Sequence, residues 1–220
     1  MHNDSLCITA VERIPRRKRY TVELDGAPAL TVTPEIAVQF GLRAGATLTA
    51  ARFTELRAAQ DHGDVLAAAL RLISYRPRSE KELRDRLNQR NQDAGVVDAT
   101  IARLKELRLI DDAEFAASWV QNRGVSSPRS RRLLASELRA RGVQREIASA
   151  SAGTVDEAEA AYSAGSRKAR LLAGRPFDEF QRKVGDLLLR RGFSYETARE
   201  TVRLFWRDLG DGAPTPTDIP

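Results

Sequence analysis

The chain has 220 residues, a net charge of +6, 42% hydrophobic and 30% charged residues, and 6% aromatics. Wide charged faces with few aromatics suit amphipathic helices and argue against a deep, aromatic-lined catalytic core. No apolar run reaches the ~18 residues of a membrane span, the N-terminus lacks the order of a secretory signal, and Cys7 is alone; a cytoplasmic protein is expected.

Residues 1–52 read as a small β-containing module. CITAVERI, RYTVEL and ALTVT alternate in the manner of short strands, and Asp25-Gly26 is a hairpin signal. Thr33-Pro34 opens a short helix, PEIAVQFGL, that Gly41 ends, and ATLTA is a further extended piece. Arg16, Arg17, Lys18 and Arg19 form a basic run in a loop, which is either solvated or in contact with nucleic acid.

Residues 53–110 form a first helical repeat. Gly63 is expected to separate a short helix from a longer one that carries Leu66, Leu70 and Ile73 on one face. Ser79 caps the next helix after Pro77, with Glu82 completing a Ser-x-x-Glu box. Leu83 and Leu87 face inward there, and Arg84, Arg86 and Arg90 outward. A third helix carries Val97, Ile101, Leu104 and Leu107.

Residues 111–153 form a second repeat. Asp111 caps its first helix, with Glu114 as the reciprocal partner, and Phe115 and Trp119 share one face. Pro128 to Arg141 is its second helix and VQREIASAS a short third. In residues 154–209, Thr154 with Glu157 is expected to cap the first helix. Phe177 to Arg191 follows, then Tyr195 to Leu209 after a Ser194 cap. Residues 210–220 have no apolar period and read as a disordered tail.

The second helices align by their stripes, Leu83/Leu87, Leu134/Leu138 and Val184/Leu188, at a spacing of about fifty residues. Two of them end in Gly142-Val143 and Gly192-Phe193, with glycine as the left-handed stop. The expected fold is mainly α: three tandem three-helix repeats in an elongated array, preceded by the β-containing module.

No catalytic constellation emerges. His2, His62 and Cys7 have no metal-ligand spacing, and no phosphate-binding glycine loop or nucleophile elbow is present. The carboxylates of Asp111 and Asp112 diverge by ~100° on a helix, so Asp111 is read as a cap. No metal, no cofactor and no enzymatic activity are expected. The densest feature is residues 123–145, seven arginines against Glu137 alone. At ~100° per residue, Arg129, Arg132 and Arg139 lie opposite the Leu134/Leu138 stripe, with Arg131 and Arg141 nearer its flanks. Such a face suits a phosphate or carboxylate surface, or keeps a helical array solvated. Trp119 and Trp206 read as core.

LRLIDDAEFAASWVQNR, at residues 107–123, resembles the most recognisable segment of the RecX family, regulators of the RecA recombinase. RPRSEKELRDRL is similar to that family's first repeat and LLLRRGFSYETARETV to its last, while LDGAPALTVTPEIAVQFGLRAGATL resembles an extension of some members. The likeness runs over about residues 8–208. It departs at Ser127-Pro128, where Gly-Pro is common, and at the short third helix EIASASAG. The resemblance implies a non-enzymatic protein that lodges along the RecA filament and restrains its ATPase, strand-exchange and co-protease activities. A direct single- or double-stranded DNA binder acting by competition is the alternative. A monomer is expected, with the RecA filament as partner and no membrane contact.

Overall fold

The computed structural model describes residues 5–89 and 93–209. Arg90 and the tail at 210–220, for which the sequence carries expectations, lie outside the described residues. The chain divides into two compact units, Met1–Arg76 with Leu83–Glu106, and Pro77–Glu82 with Leu107–Pro220.

In the first unit, β1 (Ser5–Arg13), β2 (Tyr20–Leu24), β3 (Ala27–Val32) and β4 (Thr47–Thr49) form one antiparallel sheet in the order β3-β2-β1-β4. Asp25 and Gly26 both take positive φ, 50° and 85°, which two-residue hairpins require. A short helix, α1 (Pro34–Gln39), is capped by the Thr33 hydroxyl. Ile8, Val22, Val32, Ile36 and Leu48 make the module's core, closed by Leu56 of the next helix.

That next helix, α2 (Ala50–Tyr75), runs unbroken through Gly63, contrary to the expected interruption. An internal glycine costs only ~1 kcal/mol relative to alanine, less than burial on both sides of it contributes. Leu56 and Gln60 are buried before Gly63, and Val65, Ala68 and Ala69 after it. At ~100° per residue these two sets lie on roughly opposite sides, so the buried face changes midway along one rod. Leu70, expected inside, is 40% exposed for that reason.

α3 (Glu80–Asn88) and α4 (Ala94–Glu106) complete the first repeat, with Leu83, Leu87, Val97, Ile101 and Leu104 buried as the spacing requires. Leu107 falls beyond α4 and is exposed, and Ile110 is buried instead.

The second unit holds two further three-helix repeats, α5 (Asp112–Ser126), α6 (Arg131–Ala140) and α7 (Arg145–Gly153), then α8 (Glu157–Leu171), α9 (Phe177–Arg190) and α10 (Tyr195–Leu209). Each has its own core. Phe115, Val120, Leu134, Leu138 and Val143 fill one with small contributions from Ala148 and Ala152 of α7. Phe180, Val184, Leu188, Phe193 and Phe205 fill the other, with Trp206 against it. The fold is thus three helical repeats in tandem behind a small antiparallel sheet.

Candidate functional site

The Asp-Asp turn after α4 serves two helices. Asp111 accepts the Ala113 and Glu114 N–H groups at 2.6 and 3.2 Å, capping α5 as expected. The Asp112 carboxylate turns instead to the start of α3, accepting the Glu80 N–H at 2.8 Å. Ser79 is buried there; its hydroxyl accepts from the Glu82 N–H at 3.1 Å and donates to the Arg141 carbonyl at 2.6 Å. Glu82 pairs with the Arg141 guanidinium.

One repeat later the arrangement recurs. Asp156 accepts the Ala158 and Glu159 N–H groups at 2.9 and 3.0 Å, and the Glu157 carboxylate accepts the Arg131 N–H at 2.9 Å, at the start of α6. Asp156, and not Thr154, is therefore the N-cap of α8. Thr154 ends α7, its hydroxyl donating to the Ser151 carbonyl at 2.8 Å; an aspartate two residues nearer the helix took the role. Ser130 caps α6 through the Leu133 N–H at 3.1 Å, and its own N–H donates to the Arg191 carbonyl at 3.1 Å.

The glycine stops fit into these joints. Gly142 and Gly192 have φ of +87° and +88°. A Cβ at Gly142 would lie 2.3 Å from Lys81 Cβ, and one at Gly192 2.5 Å from Ser130 Oγ. The N-terminus of each earlier second helix is thus held by an acid, a carbonyl and a close-packed glycine. In α9 the stripe-aligned position of Ser79 and Ser130 is Phe180, fully buried, and the helix begins earlier after Pro176. No such joint is built there.

The arginines divide into those tied to a carboxylate or ring of this chain and those that are not. Arg129 is not on an outward helical face: α6 starts only after Ser130, so Arg129 lies in the preceding turn, its side chain 28% exposed. It pairs with Glu137, which also accepts from Arg123 Nε at 3.1 Å and the Trp119 indole N–H at 3.0 Å. Burial, then repulsion from Arg123 and Arg191, lower the proton affinity of Arg129. Arg141 lies over the Trp119 ring, 3.8 Å from its centroid, and Arg123 at 4.6 Å. Arg131 donates from Nε to the Val155 carbonyl at 2.6 Å.

Arg132 and Arg139 are exposed; Arg132 lies 3.5 Å from the Gly192 carbonyl, and Arg139 has no ion-pair partner among the described residues. In the first unit Arg16, Arg17 and Lys18 are exposed in the turn between β1 and β2, with Arg16 at φ 61°. Arg19 is tied by its guanidinium to Asp64 of α2, which raises its proton affinity.

Sequence reasoning missed Ser130, Asp112 and Glu157 as joint residues. The signal was available: Ser130 precedes Leu134 by four residues, as Ser79 precedes Leu83. Ser127, the departure from Gly-Pro, receives the Arg191 guanidinium on its hydroxyl at 3.0 Å, a bond glycine has no side chain to make. Among the described residues no three His, Cys, Asp or Glu side chains are grouped to hold a metal ion, and no helix is long and apolar enough to cross a membrane.

Three family models match in succession: RecX first three-helix domain at residues 66–104, second at 111–151 and third at 155–202. Regulatory protein RecX of Levilactobacillus brevis is 34% identical over 205 residues, covering 89% of this chain and 74% of its own length. Regulatory protein RecX of Mycobacterium sp. (strain JLS) is 36% identical over 143 residues, 62% of this chain and 78% of its own. A crystal structure of regulatory protein RecX superposes with a TM-score of 0.66 at 23% identity, over 90% of this chain and 98% of that one. Another, of RecX from Lactobacillus salivarius, gives 0.59 at 24% identity, over 67% and 97%. At those identities the structures speak for the fold, and the matched sequences for the family. The three matched domains span more than half of the chain, and it belongs to the RecX family.

Proposed function

We propose that this chain is a non-enzymatic regulator that binds the RecA–DNA filament and restrains its recombinase, ATPase and co-protease activities. The observation that carries this reading is the run of three RecX domains along the chain. The relatives are named regulatory proteins, and two exposed arginines of α6, Arg132 and Arg139, give the second unit guanidinium groups without an ion-pair partner among the described residues. A polymer offers the same anionic or acidic surface many times over, so several modest contacts act together. The arginines tied to this chain's own groups, the partly buried Arg129 and Arg141 and the exposed Arg131, act indirectly by keeping Trp119 and the joints in place.

The double variant Arg132→Glu, Arg139→Glu tests the contact. Both side chains are exposed, so helicity by circular dichroism should be unchanged. Restraint of RecA's DNA-dependent ATPase should weaken about tenfold, the loss of one or two charge-assisted contacts. Full restraint by this variant would remove both residues from the contact surface.

The exposed Arg16, Arg17 and Lys18 favour a second reading, direct binding of single- or double-stranded DNA and competition with RecA for it. That reading requires binding to fall steeply with salt and inhibition to be relieved by excess single-stranded DNA.

A further inference from the structure

The turn between β1 and β2 is built more tightly than a solvated loop needs to be. The Arg17 N–H donates to the Ile14 carbonyl at 3.2 Å, and the Ile14 N–H to the Arg19 carbonyl at 2.9 Å. Pro15 takes the second place of the inner turn and Arg16 the third, at φ 61°. That place ordinarily goes to glycine or asparagine, because a Cβ is disfavoured at positive φ. An arginine held there against its backbone preference points to a use for its side chain.

Residues 11–20 carry Arg13, Arg16, Arg17, Lys18 and Arg19 against Glu12 alone, so the turn has an excess of positive charge. Arg16, Arg17 and Lys18 are exposed and have no ion-pair partner among the described residues. Lys18 faces Glu35, whose proton affinity is lowered by hydrogen bonds to its own N–H and from Thr33, and then by Lys18. Arg19 is instead committed to Asp64 of α2. Across residues 5–32 no large hydrophobic side chain is exposed. A protein interface is anchored by apolar or aromatic side chains at its centre, and single-stranded nucleic acid is gripped by exposed rings on which bases stack. Tyr20, the one ring in this stretch, packs against the module's own core. Positive charge without anchors or rings suits the phosphate backbone of a duplex.

We propose that the β1–β2 turn is a contact for the phosphate backbone of duplex DNA, independent of base sequence, made by Arg16, Arg17 and Lys18 and not by Arg19. This rests on the second reading above in taking DNA as the partner, and adds to it the form of the DNA and the turn that meets it.

The test is the anisotropy of a short fluorescein-labelled duplex of mixed sequence, titrated with the full chain at rising salt. Arg16→Gly suits the positive φ and should leave the thermal midpoint unchanged or raised. Combined with Arg17→Gln it should weaken binding about tenfold and flatten the slope of log K against log salt by about two. Two controls fix the place of the contact. Arg132→Gln with Arg139→Gln removes the same charge from the second unit, and Arg19→Gln with Asp64→Asn removes the ion pair at constant net charge. Both should bind within about twofold of the wild type, having lost no phosphate contact. Unchanged binding by the turn variant, or an equal loss in either control, overturns the turn and leaves DNA binding standing. A wild-type chain that binds no duplex overturns the turn and removes duplex DNA from the second reading. Unlabelled oligothymidylate and poly-glutamate, at equal charge, should displace the duplex poorly. Ready displacement by the first refutes the duplex form, and by the second the choice of nucleic acid. No RecA is present, so none of these results bears on the filament reading.

Discussion

A methyl group added at Gly165 in α8 would stand 2.6 Å from the Phe205 ring, whereas one added at Gly63 in α2 meets nothing within 4 Å. Both glycines are helical, so the same substitution should act in opposite directions. Gly63→Ala should stabilise by up to ~1 kcal/mol through helix propensity alone. Gly165→Ala gains that term but drives a Cβ into a packed aromatic core, and overpacking of this kind costs ~1–3 kcal/mol. Urea denaturation of the two variants checks the pair: a raised midpoint for the first and a lowered one for the second. Two stabilised variants would mean that α8 and α10 do not approach as closely as the structure has them. The same reasoning explains why glycine misled as a helix break at Gly63 yet marked the true stops at Gly142 and Gly192. There, a positive φ and a close neighbour both exclude a side chain; at Gly63 neither does.

At the level of elements, the joints explain why the Asp-Asp turn carries two acids. Asp111 serves its own helix and Asp112 the start of α3. Asp112→Ala should destabilise by ~1 kcal/mol, the cost of a partly buried helix N–H left without its carboxylate acceptor. Asp112→Asn keeps an oxygen and should lose less. Equal denaturation midpoints for wild type and both variants would show that the bond contributes nothing. The helices themselves were legible because leucine pairs four residues apart, cap serines and glycine stops are local signals, and the three buried stripes fall where the spacing put them. What was not legible depended on partners remote in sequence. Thr154 and Asp156 both qualify as caps locally, and only the extent of α7 decides between them. Arg129 was projected onto a helix that begins two residues later, and its burial against Glu137 follows from that start. Neither the pocket lined by Val120, Leu134 and Glu159 nor the switch of buried face along α2 has a local signature, because each is made by more than one element.

For the molecule as a whole, the net charge of +6 hides a division of labour. Some of the arginine charge is used internally, as Arg19, Arg123, Arg129 and Arg141 all meet carboxylates of this chain. Exposed positive charge is displayed at Arg132 and Arg139 and at the Arg16–Lys18 turn. The most direct measurement is RecA's ATPase on single-stranded DNA, titrated with this protein from well below one molecule per RecA protomer and repeated with added free single-stranded DNA. The account predicts that hydrolysis falls at sub-stoichiometric ratios and stays low when the free DNA is added. Unchanged hydrolysis at every ratio, or recovery in proportion to the added DNA, would contradict it.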